Sequence, residues 1–83
     1  MYLYIGQETV IKTSNIVGIF DLESTSVSRV TKEYLKKSQD NGDVVTVSQE
    51  LPKSFIVCKE RKRQKLYISQ ISTTTLKKRY GQI

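Results

Sequence analysis

The side chains of this chain that can do chemistry are cations. Lys59-Glu60-Arg61-Lys62-Arg63-Gln64-Lys65 and Lys77-Lys78-Arg79 concentrate eight basic groups in two short stretches. Clustered positive charge suits a polyanion, because neutralising phosphates releases condensed counterions and drives association. The same runs also read as a solvated face that keeps a small protein dispersed. The nucleophiles offer less. There is no His, hence no imidazole base or ligand, and the single Cys58 lies in an apolar stretch where a free thiol behaves as a small hydrophobe. Asp40 and Asp43 flank Asn41-Gly42, which is turn chemistry, and two carboxylates are too few to hold calcium. The four glycines, at 6, 18, 42 and 81, never cluster into a phosphate loop. The residues thus predict no catalysis, no metal and no cofactor. Five tyrosines, at 2, 4, 34, 67 and 80, can pack with a wet phenol edge or stack on bases. Tyr67, beside the first basic run, is the one the sequence favours for stacking.

Eighty-three residues carry 14 Lys and Arg against 8 Asp and Glu, a net charge of +6. The surplus is uneven. Residues 1–28 hold one basic and three acidic groups, whereas residues 29–83 hold 13 basic and 5 acidic groups, net +8. One domain spanning residues 1–83 is expected at this length. A chain so short buries only about 60–65 % of its unfolded surface, which makes self-association a natural way to cover more. No apolar run approaches the roughly 18–20 residues of a membrane span, and Met1 to Ile5 is too short for a secretion signal. The expected compartment is the cytoplasm, with no membrane contact.

The elements that must position these groups follow from periodicity. Tyr2-Leu3-Tyr4-Ile5 and Thr9-Val10-Ile11-Lys12 are short β-like runs around a Gly6-Gln7-Glu8 turn. Ile16-Val17-Gly18-Ile19-Phe20 is apolar on both faces, as for a strand covered on both sides or one at a subunit boundary, and Gly18 suggests a bulge or close backbone approach. Val27, Val30, Tyr34 and Leu35 then fall on one helical face, predicting a helix over roughly 26–41, capped by Thr25 or Ser26 and stopped by Asn41-Gly42. Strands at Val44–Val47, Ser54–Lys59 and Leu66–Ser69 follow, so the basic turn from Glu60 to Lys65 projects as a hairpin tip. A short helix capped by Ser72 closes the chain, with Leu76 and Tyr80 packing together and Lys77, Lys78 and Arg79 facing out. The expected class is α+β: a small, mostly antiparallel β-sheet fold of about six short strands, one central helix and a short C-terminal helix.

The order of several phrases carries a family resemblance. Tyr4-Ile5-Gly6, Ser14-Asn15-Ile16-Val17-Gly18-Ile19-Phe20-Asp21, Asn41-Gly42, Lys53-Ser54-Phe55-Ile56-Val57 and Ser72-Thr73-Thr74-Thr75-Leu76-Lys77-Lys78-Arg79 together resemble the RemA/RemB family of bacterial extracellular-matrix (biofilm) regulators, over nearly the whole chain. The resemblance implies a cytoplasmic regulator of matrix genes, homo-oligomeric and ring-like, that contacts duplex DNA through arginines repeated around the ring. One such arginine falls where this sequence has Asn15, and a pair falls at about Glu50 and Leu51, leaving Lys53 as the nearest cation. A carboxylate or an alkyl chain cannot supply a guanidinium's bidentate phosphate grip. The expected DNA contacts are therefore Lys12, Asn15, Lys53, Arg61, Lys62 and Arg63, together with Lys77, Lys78 and Arg79. The alternative is an oligomeric regulator that has lost these contacts and works through a protein partner of unknown identity.

Overall fold

The computed structural model describes residues 1–22 and 29–81. Six strands and two helices occur in chain order: β1 (Tyr2–Gly6), β2 (Thr9–Lys12), β3 (Ile16–Asp21), α1 (Arg29–Asp40), β4 (Val44–Thr46), β5 (Ser54–Glu60), β6 (Arg63–Ser69) and α2 (Thr73–Gly81). The fold is α+β, as expected. The strands form two sheets rather than one: an antiparallel β1–β2 hairpin, and a four-stranded sheet in the order β3-β5-β6-β4. Within the larger sheet β4 runs parallel to β6, an exception to the otherwise antiparallel pairing.

The centre of the fold is β5. Its residues Ser54 to Cys58 are all buried, and alternate side chains enter different clusters. Ile56 and Cys58, with Tyr67 of β6, pack against Leu3, Ile5 and Ile11 of the small hairpin, Val47 and Leu76 of α2. Phe55 and Val57, with Leu66, pack against Tyr34 and Leu35 of α1. A strand apolar on both faces is what a layer on each side of a sheet demands. The sequence pattern allowed Ile16–Phe20 either that role or a place at a subunit boundary; among the described residues the strand lies at the sheet edge, paired with β5 alone, which rules out the first of the two. Its Val17 stands 64 % exposed in a bulge, where the register shifts between Ile16 and Gly18. Gly18 leaves room there for the Phe20 ring, which stacks on Phe55 at 5.0 Å between centroids: a Cβ would fall 2.6 Å from that ring and displace it.

Two buried serines join the layers. Ser69 Oγ donates to the Ile5 carbonyl at 2.7 Å and accepts the Ile71 N–H at 3.0 Å. Ser54 Oγ donates to the Ile71 carbonyl at 2.7 Å. The helix ends also follow sequence logic. At the end of α1 the Gly42 N–H reaches the Gln39 carbonyl and the Asp43 N–H the Ser38 carbonyl, both at 3.0 Å, with Gly42 at φ 74°. That is a Schellman stop, for which glycine is favoured. Ser72 Oγ accepts the Thr75 N–H at 3.3 Å and so caps α2. Of the predicted helical stripe, Tyr34 and Leu35 pack inward as expected, while Thr25, Ser26 and Val27 lie outside the described residues.

Ile56→Ala, made at a site with no exposure, is expected to cost about 3–4 kcal/mol by removing contacts to the hairpin layer. Urea denaturation of the variant beside the parent measures it. Cys58 is equally enclosed, and burial, with Glu60 nearby, raises its thiol from 9.0 to about 11. The expectation is that the folded protein resists alkylation at pH 8.5 and is modified readily in urea, read by intact mass.

Candidate functional site

The β5–β6 hairpin carries seven cross-strand pairs, from Ser54 opposite Ser69 to Glu60 opposite Arg63. At its far end two residues, Arg61 and Lys62, make the turn. Arg61 has φ 57°, the left-handed backbone that tight hairpin turns reserve for Gly, Asn or Asp. A long cation therefore sits at a position whose backbone favours a small residue. The apolar half of the hairpin anchors in the core, and the charged half extends beyond it.

Lys12 and Asn15 come to this tip from the other end of the sequence. Lys12 ends β2, and Thr13–Asn15 form a single 3-10 turn that packs against β5. Thr13 fixes the turn by donating its N–H and its hydroxyl to the Met1 carbonyl, at 3.0 and 3.1 Å. The result is an open cleft of about 710 Å³ lined by Lys12, Asn15, Glu60, Arg61, Lys62, Arg63 and Lys65. Two of its cations are oriented by carboxylates. Arg63 Nε lies 3.1 Å from Asp43 Oδ1, and Lys65 Nζ lies 3.6 Å from Glu60 Oε2. Among the described residues Lys12, Arg61 and Lys62 are in no ion pair and are open to solvent. Five cations against one lining carboxylate, with the Asn15 amide as a neutral donor, form a site for an anion with several separated charges.

The remaining cations of the sequence analysis lie elsewhere. Lys53 precedes β5 at the opposite end of the hairpin, about 24 Å from Glu60 at the rise of a β-strand. Its backbone extends the sheet: its N–H donates to the Ser69 carbonyl, and its carbonyl accepts the Leu22 N–H. Lys77, Lys78 and Arg79 lie on the exposed side of α2, as expected. Arg79 is engaged there: its guanidinium is 5.6 Å from the Tyr4 ring centroid and donates to the Tyr4 carbonyl at 3.4 Å. Tyr67, the favoured stacking residue, is only 8 % exposed. Its β6 position faces the hairpin layer, and burial, followed by Glu60 and Cys58, raises its phenol above 10.0. The outward tyrosines are Tyr2, Tyr4 and Tyr80. Of the expected contacts, Lys12, Asn15, Arg61, Lys62 and Arg63 come together in the cleft, which Lys65 and Glu60 complete.

The described residues hold no group of three or more His, Cys, Asp or Glu able to share a metal, and no described helix is long and apolar enough to cross a membrane. Asp43 turns instead to Arg63.

Residues 2–80 match the family model RemA-like, described as extracellular matrix regulatory protein A-like. The chain is also similar to extracellular matrix regulatory protein B of Bacillus subtilis (strain 168), 39 % identical over 79 residues, which cover 95 % of this chain and 89 % of that relative. A match over nearly the whole length, on a fold whose cations gather at one hairpin tip, places the chain in the RemA-like family of extracellular matrix regulatory proteins.

Proposed function

We propose that this protein is a non-enzymatic, cytoplasmic, homo-oligomeric regulator of extracellular-matrix genes that grips the backbone of duplex DNA. The observation that carries this reading is the convergence of Lys12, Arg61, Lys62 and Arg63 on one cleft from elements distant in sequence. Asn15 adds a hydrogen-bond donor beside them. Lys53, Lys77 and Lys78 extend the positive surface on other faces, where DNA that bends across neighbouring subunits would meet them. Arg79 contributes less, since Tyr4 holds it.

Assembly is the second part of the proposal, and it rests on the β3 edge. Among the described residues that strand has no strand partner on its outer side. Beside it Ile16 to Ile19, with Lys77 and Tyr80 of α2, line a groove of about 190 Å³. An exposed apolar edge strand is a template for pairing with another chain. A ring built from such contacts would repeat the cleft at regular intervals. Each subunit then needs to grip only one or two phosphates, because linked weak contacts sum to an avidity that a single copy lacks. A specific observation favours the protein-partner alternative: Leu51, 79 % exposed beside Glu50, presents an apolar and acidic surface rather than a cationic one.

Four outcomes check the proposal. Mobility shifts with a duplex fragment across a salt series are expected to show steep salt dependence. An Arg61→Glu, Lys62→Glu double variant should weaken binding at least tenfold and lower the salt slope by about two per bound subunit. No retarded species even at low salt would sink the DNA reading and leave the protein-partner one. Arg61→Gly is expected to raise unfolding stability by about 1 kcal/mol, by relaxing the turn, while weakening DNA binding. Light scattering should give a native mass several times 9.6 kDa, and a strict monomer would remove the assembly.

A further inference from the structure

The β1–β2 hairpin has an inner and an outer face. Leu3, Ile5 and Ile11 are buried against the larger sheet, and between them Tyr2, Tyr4, Val10 and Lys12 point outward. Tyr2 is 66 %, Val10 54 % and Tyr4 46 % exposed. In the ladder Tyr2 stands opposite Lys12 and Tyr4 opposite Val10, so the two rings lie on one strand with a cation across from the first. The second ring has Arg79 over it, at 5.6 Å. Two exposed aromatic rings, fixed on a sheet face and flanked by two cations, are unlike a simple apolar patch. Covering them with another apolar surface would desolvate Lys12 and Arg79 without a counter-charge, which is costly. A partner with flat π faces and regularly spaced negative charges satisfies the rings and the cations together.

Duplex DNA does not fit, because its base faces are closed within the stack. Unpaired nucleotides expose them, and stacking of such bases on aromatic side chains is the common mode of single-strand binding. Residues two apart on one strand face are separated by about 7 Å, close to twice the 3.4 Å step between stacked bases. We propose that the outer face of the β1–β2 hairpin binds single-stranded nucleic acid, with Tyr2 and Tyr4 stacking on unpaired bases and Lys12 and Arg79 meeting the adjoining phosphates. Lys12 also lines the cationic cleft, so a strand leaving the platform enters that cleft directly. The inference shares Lys12 and Arg79 with the duplex reading and otherwise stands apart from it.

The test is fluorescence anisotropy of the full chain with three labelled probes at matched salt: a 12-nucleotide oligothymidylate, an abasic strand of equal length and charge, and a 12-base-pair duplex. The oligothymidylate is expected to bind at least tenfold more tightly than the abasic strand. Tyr2→Ala with Tyr4→Ala should weaken oligothymidylate binding about 100-fold, at roughly tenfold per stacked base, and leave abasic and duplex binding unchanged. Tyr2→Phe with Tyr4→Phe should retain it, which separates stacking from a folding defect. Equal affinity of the parent for oligothymidylate and abasic strand would overturn the proposal. So would a drop in native mass in the double alanine variant with no base-dependent loss, which would make this face a contact between copies. Oligothymidylate binding without duplex binding would refute the duplex reading alone, and the reverse result would refute this one alone.

Discussion

Everything in this fold depends on burying β5 on both faces. A strand that reads Ser-Phe-Ile-Val-Cys has no polar side to give to solvent, so each face needs a cover. Helix α1 supplies one, and the β1–β2 hairpin with α2 supplies the other. The first cover comes from the middle of the chain and the second from its two ends, and Ser54 and Ser69 hold the second in place by satisfying the backbone of Ile5 and Ile71. The same ladder that forms the core runs on without a break into the charged turn. The cationic tip is therefore borne by the strand pair with the best-packed root, which limits the motion of Arg61 to Arg63 relative to the core. A site on such a rigid element keeps its geometry without needing a loop to be ordered when a ligand arrives.

Much of this was legible in the residues. All six strands and both helices follow from composition and periodicity, and the Asn41-Gly42 stop, the Ser72 cap, the Gly18 bulge and the projecting basic turn are local consequences of local sequence. What could not be read is which surface covers which. Alternation says that Tyr67 and Leu66 face opposite ways, not that both directions are roofed, so Tyr67 looked available although the hairpin encloses it. The apolar run of β3 has the composition of a central strand, yet sheet order is a long-range property and put it at the edge. The parallel pairing of β4 follows from where α1 returns the chain, which no residue of β4 encodes alone. For the same reason the residues name Lys12 as a DNA contact without showing that it shares a cleft with Arg61 to Arg63, which lie about fifty residues away in the chain.

Ion pairing within the cleft shapes it more than it stabilises it. Pairs as exposed as Arg63 with Asp43 and Lys65 with Glu60 contribute about 0.2–1 kcal/mol each at most. Their effect is directional: Asp43 draws Arg63 toward the sheet, and Glu60 draws Lys65 back along the ladder. Lys12, Arg61 and Lys62, which line the same cleft, are in no ion pair among the described residues. Part of the cleft's charge is thus unneutralised and part is oriented by carboxylates, an arrangement that raises local anion concentration.

The small size of the chain then bears directly on how the proposed regulator would work. Three or four cations can neutralise only a few phosphates, and the affinity they supply alone falls steeply at physiological salt. More charge on one subunit would not solve this, because like charges packed on so small a surface repel one another and oppose folding. Repetition through assembly raises the number of contacts without raising the charge density of any one fold. The exposed edge of β3, unhelpful to a monomer, is what makes such repetition available. In the proposed regulator, the thin core, the open edge and the modest cationic cleft are parts of one solution, in which affinity for a long polyanion is set by the number of copies rather than by the strength of one site.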